Sequence, residues 1–512
     1  MTRAKTLLFG GLVVCWASAA IAQPPVVFTA DQDHQSMMDQ LHIQALRPGP
    51  SGDEKAPDHA NYDEAKANPY PSLPDPLVTR AGKRVTTPSQ WWTVRRPEIL
   101  AAFEREIYGK APRPPPKVTW TVTASEHERL GFPGVSVLAR QMVGHVDNAA
   151  YPDISVDIRM TVVTPDGARG PVPLLIMFTR DGFPAPTQPS RQEFAQIDAA
   201  LKAAAVQQNP SLQTVFATHP GFTLASEPSF HLPARNADGD PMPPEQLAAA
   251  GWGFALLDPA SVQADDGAGL TRGIIGLVNR GQPRKPDDWG ALRAWQWGAS
   301  RALDQLAADP AINPKAIGIE GVSRYGKAAL VTMAFDQRFA MALVGSSGKG
   351  GATPLRRDWG EDISNLATGE YYWFAGNLLK YDAVKVDGPH LTPGDLSVDA
   401  NDLIALCAPR LTFISYGVPE QGDAKWLDHR GSWMATVNAG KVWDLLGARG
   451  LGITQDYAAA PMPPVNTGLL DGLLAWRQDD GGHTDAPNMK WFIQWVDRQV
   501  GQAPTADPAI RP

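Results

Sequence analysis

Ser323 stands where the sequence changes from an apolar run to a run that favours a helix. The apolar run ends at Gly321, and Ala, Leu and Val residues follow from Ala328 onward. Strand, sharp turn and helix in this order form a nucleophile elbow, whose strained turn pushes a serine hydroxyl outward and needs small neighbours. Gly321 is one such neighbour, but Tyr325 replaces the glycine expected two residues after the serine, and Gly326 follows it. The pattern predicts a serine nucleophile in a variant elbow.

Two other interpretations of these residues remain open. Residues 321–327 also match the phosphate-binding pattern G-x-x-x-x-G-K, but that loop requires a following Ser or Thr to hold magnesium, and Ala328 stands there. A buried serine in an ordinary strand-to-helix turn would show the same local sequence. The choice between a nucleophile, a phosphate-binding loop and an ordinary turn depends on whether a base and an acid follow Ser323 in the sequence.

A serine nucleophile needs a histidine base, and in the α/β-hydrolase fold the order along the chain is serine, acid, histidine. Three histidines follow Ser323, namely His390, His429 and His483. His483 lies in a glycine-containing loop directly before the last helical run, which is where this fold places its base. His429 lies in a charged run and is expected on the solvated surface, and His390 lies in a proline-rich loop. His483 is therefore the predicted base.

The predicted acid is Asp423, with Glu420 as the second candidate. Both follow the apolar run 411–415. A carboxylate after that strand can reach the second ring nitrogen of the histidine, which fixes its tautomer and stabilises the imidazolium.

Two basic residues follow the serine directly. The backbone N–H of Arg324 should donate to the oxyanion, and its guanidinium adds positive charge where negative charge develops. Lys327 lies four residues after Ser323, so both side chains share one helix face. We expect Lys327 to donate to hydroxyl groups in the same cleft.

Strands and helices alternate in the elements that must position these residues. Antiparallel strands are predicted over 118–125, 135–140 and 155–164, and buried strands over 172–178, 253–258, 340–344 and 411–415. Helices are predicted over 97–108, over 288–308 with Asp288 as the cap, and over 491–496. The alternation predicts an α/β-hydrolase fold, a three-layer sandwich with a mostly parallel central sheet.

The N-terminal residues predict export. Residues 1–22 have a basic start, an apolar core and a small-residue cleavage site, as in a secretory signal peptide, which predicts a periplasmic or secreted bacterial protein. Only Cys407 remains after cleavage, so no intramolecular disulfide can form. Residues 23–90 are polar and proline-rich, which predicts an extended arm that lies on the main body without regular helix or strand, with a loosely ordered leader as the alternative. A catalytic domain is predicted over 91–505.

Composition excludes one class of partner. A formal net charge of -8 argues against nucleic acid, and we expect no membrane contact after signal cleavage and a monomer. The 16 tryptophans favour sugar stacking at some positions, although most are expected in the core.

The chain resembles the glucuronoyl esterases, a carbohydrate esterase family with an α/β-hydrolase fold. The residues that carry the resemblance are Gly321–Lys327, Arg96–Leu100, Phe103–Gly109, Trp289–Asp304, Tyr372–Tyr381, Leu403–Arg410 and Gly482–Asp485. The resemblance implies hydrolysis of the ester between (4-O-methyl)glucuronic acid on xylan and a lignin alcohol, without metal or cofactor.

The resemblance also implies roles for individual residues. Ser323 and His483 match the nucleophile and base, and Arg324 matches the oxyanion arginine. The residues that match the substrate-binding positions are Lys327 and Glu361, which bind the uronic acid hydroxyls, and Trp426, which lines the sugar site.

The sequence departs from the family at one position. Many members carry the triad glutamate just before a Ser-Gly-x-Gly-Gly run, and here Ser346 precedes that run. The acid has therefore moved to the later loop, where Asp423 stands, or has been lost. Two alternative functions stay open, an acetyl-polysaccharide esterase on the same fold and a catalytically weak exported carbohydrate-binding protein.

Overall fold

The computed structural model describes residues 23–70, 72–130, 134–179, 191–224 and 240–499. The predicted signal peptide, residues 1–22, and the predicted domain end at residue 505 lie outside the described residues. No helix within these ranges is both long and apolar enough to cross a membrane.

The strands form one large sheet and one small one. In chain order, the described residues contain β1 (Ile43–Leu46), β2 (Val118–Leu130), β3 (Val135–Val146), β4 (Asp157–Pro165), β5 (Val172–Phe178), β6 (Gly253–Leu257), β7 (Ile312–Val322), β8 (Met341–Gly345), β9 (Ala383–Val386), β10 (Leu411–Tyr416), β11 (Gly468–Leu469) and β12 (Leu474–Gln478). The large sheet has ten strands in the order β11-β12-β10-β8-β7-β5-β6-β4-β3-β2, and β1 pairs with β9.

The six strands from β12 to β6 in this order are parallel to their neighbours. Strand β11 at one end and strands β4, β3 and β2 at the other pair antiparallel. The prediction of an α/β fold with a mostly parallel sheet is thus confirmed, and an antiparallel extension completes it.

Helices cover both faces of this sheet. The described α-helices are α1 (Ala30–Gln40), α2 (Pro88–Gln90), α3 (Arg96–Glu106), α4 (Arg191–Gln208), α5 (Leu212–Thr218), α6 (Pro243–Ala249), α7 (Gly273–Val278), α8 (Ala291–Leu306), α9 (Arg324–Phe335), α10 (Ile363–Thr368), α11 (Ala400–Ala405), α12 (His429–Leu445) and α13 (Ala486–Gln499). Strand β10 contacts a helix on each face of the sheet, because successive side chains of a strand point to opposite sides. The Phe413 ring lies 5.7 Å from that of Trp495 on α13, whereas the Tyr416 ring lies 4.8 Å from that of His429 on α12.

Tryptophans fill much of the core between these layers. Ten of the 16 in the sequence are buried, namely Trp91, Trp252, Trp289, Trp295, Trp297, Trp373, Trp433, Trp443, Trp476 and Trp495. The expectation that most of them are core residues is confirmed, and the exposed Trp426 stands apart from this group.

The prediction of an N-terminal arm without regular structure is wrong for residues 30–46. A capping box at Thr29 and Gln32 begins α1, and this helix buries Met37 and Met38. Strand β1 then pairs with β9. Capping and tertiary burial outweigh the polar composition here.

The predicted cap of the helix before the elbow is also wrong. Gly290 is the N-cap of α8, and Asp288 instead accepts hydrogen bonds from Lys285 N and Asn279 Nδ2.

Candidate active site

The turn after β7 places Ser323 in a backbone conformation that non-glycine residues rarely adopt. Its φ is 64° and its ψ is -129°, so the turn is strained in the way a nucleophile elbow requires. Its N–H donates to Gly345 O at 2.9 Å, and its carbonyl accepts from Lys327 N at 3.0 Å. The serine thus links the end of β7 both to the neighbouring strand β8 and to the first turn of α9.

Two close backbone approaches explain the variant glycine spacing. A Cβ on Gly321 would lie 2.3 Å from Tyr325 O, and a Cβ on Gly326 would lie 2.4 Å from Gly345 O. Glycine is therefore required at 326, where the helix passes β8. Position 325 has room for a side chain, and the ring of Tyr325 packs 5.6 Å from the ring of Trp295.

The predicted nucleophile, acid and base all follow parallel strands at one edge of the sheet. Ser323 follows β7, Asp423 follows β10 and His483 follows β12. The register aligns the ends of these strands, pairing Val322 with Gly345, Gly345 with Ser415, and Ser415 with Arg477.

Asp423 contacts the imidazole of His483 directly. Nδ1 of His483 lies 2.7 Å from Oδ1 of Asp423. The histidine side chain is 37% exposed, whereas the carboxylate is fully buried. Among the described residues the Ser323 hydroxyl has no hydrogen bond to His483, and such bonds often tighten only when substrate binds.

The loops that carry Asp423 and His483 are joined at backbone level. Val418 N donates to Gly481 O at 2.8 Å. A Cβ on Gly417 would lie 2.1 Å from Gly482 O, so the two chains meet at a distance that only glycine permits. The position of the imidazole relative to the acid is therefore fixed by main chain as well as by side chains.

The second oxygen of Asp423 accepts two further hydrogen bonds. Ser346 Oγ donates to Oδ2 at 2.9 Å, and Gly417 N donates to it at 3.0 Å. Burial raises the pKa of Asp423, but the imidazoles of His429 and His483 outweigh this and lower it to about 2. The carboxylate is thus ionised at neutral pH.

The prediction that His429 is a solvated surface residue is wrong. It begins α12, is 9% exposed, and its Nε2 lies 3.2 Å from Oδ2 of Asp423. Gln478 Nε2 donates to Gly417 O at 2.8 Å and lies 3.2 Å from Nδ1 of His429. With Nδ1 accepting from this amide, the ring proton is on Nε2, the nitrogen nearer the carboxylate. The charged neighbours of His429 in the sequence concealed that α12 turns it inward.

Glu420, the second candidate for the acid, is exposed in a short 3₁₀ turn over Pro419–Gln421. The structure brings Asp423 to the imidazole and leaves Glu420 at the surface.

A buried acid pair lies beneath the serine and the histidine. Glu320 on β7 and Asp485, two residues after His483, are each 4% exposed, and their side chains are hydrogen-bonded. Burial, followed by the neighbouring carboxyl, raises the pKa of Glu320 well above its ordinary value. The contact between these two side chains links the serine strand to the histidine loop.

Lys327 and Glu361 form a second charged group on the helix face of Ser323. Lys327 Nζ donates to Ser347 O at 2.7 Å and lies 3.7 Å from Oε2 of Glu361. The lysine side chain is 4% exposed. Burial lowers the pKa of Lys327, against the opposing charges of Glu361 and Glu370.

The guanidinium of Arg324 is held by Trp373 and by Asp265, a residue that the sequence had not singled out. Arg324 Nη1 donates to Asp265 Oδ2 at 2.6 Å, and Trp373 Nε1 donates to Oδ1 of the same carboxylate at 2.7 Å. The guanidinium lies 5.1 Å from the centre of the Trp373 ring. Asp265 lies far from the elbow in the sequence, and no motif marks it.

Trp426 is 41% exposed and lies beside the charged pair, because Glu361 N donates to Trp426 O at 2.9 Å. The described residues contain no cluster of His, Cys, Asp or Glu that could hold a metal ion.

Comparison with known proteins places the chain in a family. The family model for the glucuronyl esterases of fungi matches residues 284–447. The solved structure of a CE15 glucuronoyl esterase from Teredinibacter turnerae T7901 matches with a TM-score of 0.74 and 37% identity, over 92% of this chain and 100% of that one. This chain belongs to the glucuronoyl esterase family. The predicted family is thus confirmed.

Two further relatives agree. A glucuronoyl esterase structure from Solibacter usitatus matches with a TM-score of 0.66 and 28% identity, over 85% of this chain and 100% of that one. The carbohydrate esterase MZ0003, from an unknown prokaryotic organism, is 28% identical over 86% of this chain and 92% of its own length.

The charged group around Lys327 predicts a pH-dependent stability. Burial, followed by the charge of Glu361, raises the pKa of Glu370 from 4.5 to about 7, against Lys327 and Arg324. Below pH 4.5 this carboxyl is neutral in both folded and unfolded chains. Between pH 4.5 and 7 it ionises mainly in the unfolded chain, so its contribution to folding stability falls as the pH rises.

We expect Glu370→Gln to remove this loss. The melting temperature of the variant minus that of the wild type should increase from pH 4.5 to about pH 7 and then level off, as measured by thermal unfolding in a pH series. A difference that stays constant over this range would contradict the assignment.

Proposed function

We propose that this protein is an exported serine esterase with an α/β-hydrolase arrangement that hydrolyses esters of (4-O-methyl)glucuronic acid. Such esters occur where glucuronoxylan is linked to lignin. The observation that carries the proposal is the contact of 2.7 Å between His483 and Asp423 at the sheet edge that also holds the strained Ser323, in a chain of the glucuronoyl esterase family.

In the first half of the proposed reaction, Ser323 is the nucleophile. His483 Nε2 accepts the proton of Ser323 Oγ as this oxygen attacks the uronoyl carbonyl carbon. Asp423 on Nδ1 fixes the tautomer that leaves Nε2 free and stabilises the imidazolium. His483 then protonates the alcohol oxygen, the ester C–O bond breaks, and the alcohol departs.

In the second half, water replaces the alcohol. His483 takes a proton from the water molecule as the water oxygen attacks the acyl carbon. The bond between this carbon and Ser323 Oγ then breaks. The uronic acid is released and the serine recovers its proton. No cofactor enters these steps.

Arg324 would stabilise the negative charge on the carbonyl oxygen in both halves. It is the first residue of α9, so its N–H has no acceptor within the helix and is free to donate. The Asp265 carboxylate and the Trp373 ring hold the guanidinium in place before substrate arrives. A donor that needs no reorganisation during the reaction stabilises the transition state more than the ground state.

Lys327, Glu361 and Trp426 would recognise the acid half of the ester. The ammonium of Lys327 has three donors, of which Ser347 O takes one, and Glu361 supplies an acceptor beside it. A sugar ring can lie on the exposed face of Trp426 between these groups. A buried lysine–glutamate pair is costly to desolvate, and an acetyl group would give it nothing to bind, which favours a uronic acid over acetate.

Asp423 also bears on the catalytically weak alternative, which was motivated by Ser346 at the usual position of the acid. Ser346 donates a hydrogen bond to Asp423, so a carboxylate from the later loop reaches the imidazole next to that serine. This supports a complete triad and argues for catalysis.

The nucleophile is tested by Ser323→Ala with benzyl glucuronate as substrate. We expect turnover to fall by about 10⁴-fold or more, because no other group replaces the hydroxyl, with the melting temperature nearly unchanged. Wild-type turnover in this variant would exclude the serine mechanism. Binding of glucuronoxylan without turnover in the wild type would favour the non-enzymatic alternative.

The substrate class is tested by Lys327→Met, which keeps the buried stem and removes the charge. KM for benzyl glucuronate should rise by about 10- to 100-fold, the cost of losing a hydrogen bond to a charged group. Hydrolysis of p-nitrophenyl acetate should stay near the wild-type rate. An acetyl-polysaccharide esterase would instead release acetate rapidly from acetylated xylan and would be indifferent to this substitution on either substrate.

A further inference from the structure

Residues 51–67, here called the N-terminal strap, lie outside the large sheet but join the chain that carries Glu361. Asp358 N donates to Ala67 O at 2.8 Å, and Gly360 N donates to Asn61 O at 2.9 Å. The Asn61 side chain returns a hydrogen bond to Asp358 O at 2.6 Å. Glu361 is the next residue, so its backbone position is set by the strap.

The strap also contacts the chain that carries Trp426. Lys425 Nζ lies 3.1 Å from Glu54 Oε2 and 4.2 Å from the centre of the Tyr62 ring. The strap therefore lies against both segments that supply the proposed sugar-binding side chains.

A buried charge anchors the strap to the body of the protein. Arg357, whose side chain is 2% exposed, donates to Glu64 Oε2 at 2.5 Å and to Asp428 Oδ2 at 2.7 Å. Asp428 is the N-cap of α12. Because a buried guanidinium needs both partners, this contact fixes the strap relative to the helix that begins at His429.

The indole of Trp426 packs against the strap backbone at Gly52, where there is no side chain. A Cβ built on Gly52 would lie 2.4 Å from Cζ3 and 2.8 Å from Cε3 of the indole. The φ of Gly52 is outside the left-handed region, so the indole is the obstacle to a side chain there. An added methyl group would push the ring away from its present plane.

We propose that Gly52 is a specificity-determining position, at which the strap forms the seat for Trp426 and so becomes part of the uronic acid site. Gly52 fills the strap side of the ring, and Trp426 as a whole is 41% exposed, which leaves surface for a sugar. The inference rests on the proposed function, because it assigns Gly52 a role through the sugar-binding role of Trp426. Gly52 is a positioning residue and touches no reacting atom.

Gly52→Ala tests the seat, with Gly170→Ala as the matched control. Gly170 has open space around its Cβ and a φ outside the left-handed region, and it precedes β5 at the opposite edge of the sheet from Ser323. In Gly52→Ala we expect KM for benzyl glucuronate to rise by about 3- to 10-fold, the worth of an aromatic contact, with kcat nearly unchanged. KM for p-nitrophenyl acetate and the melting temperature should stay as in Gly170→Ala.

A double-mutant cycle separates this role from a general structural one. In a Trp426→Ala background, Gly52→Ala should have no further effect on KM, because the ring that it displaces is gone. An unchanged KM in Gly52→Ala, or an equal rise with and without Trp426, would overturn the inference while leaving the proposed function intact. A wild-type protein inactive on benzyl glucuronate would overturn both.

Discussion

A buried carboxylate must be surrounded by donors, and the proposed site is organised around that requirement at Asp423. One of its oxygens meets His483, and the other meets Ser346, the N–H of Gly417 and the second imidazole, His429. Ser346 follows β8, Gly417 follows β10, His483 follows β12 and His429 begins α12. The contacts of this one carboxylate therefore connect the ends of three strands and the start of a helix. Burial raises the pKa of Asp423, and the imidazoles of His429 and His483 outweigh it and lower this pKa to about 2.

The parallel sheet makes such a meeting possible. Parallel strands all end at one edge, and crossings of the main chain there are tight enough that Gly321, Gly326 and Gly417 have no room for a Cβ. The contact between Glu320 and Asp485 adds a link between the serine strand and the histidine loop. Around this rigid edge, the segments that carry Glu361 and Trp426 are held from outside by the N-terminal strap. Of the proposed sugar-binding residues, Glu361 and Trp426 thus lie on segments separate from the triad, whereas Lys327 lies on the helix that follows Ser323.

The sequence predicted the parts whose signals are local. The buried strands were placed to within about one residue, because apolar runs bounded by turns are read directly. Chain order and loop composition predicted Ser323, Asp423 and His483 as the triad, and the structure brings Asp423 and His483 within 2.7 Å of each other. The role of Ser346 could not be predicted, because a serine is informative only once its partner across the fold is known. His429 was assigned to the surface for the same reason, since its burial depends on how α12 packs. Helix α1 was missed because composition over a long segment concealed a short capping box.

The central claim is that Asp423, acting through His483, activates Ser323. The most direct measurement is the rate at which an alkyl fluorophosphonate labels the protein, with peptide mapping by mass spectrometry, because this probe reacts much faster with an activated serine than with other side chains. We predict labelling at Ser323, a rate lower by about 10³- to 10⁴-fold in Asp423→Asn, and the wild-type rate in Glu420→Gln. Labelling of Asp423→Asn at the wild-type rate, or labelling at another serine, would contradict the account.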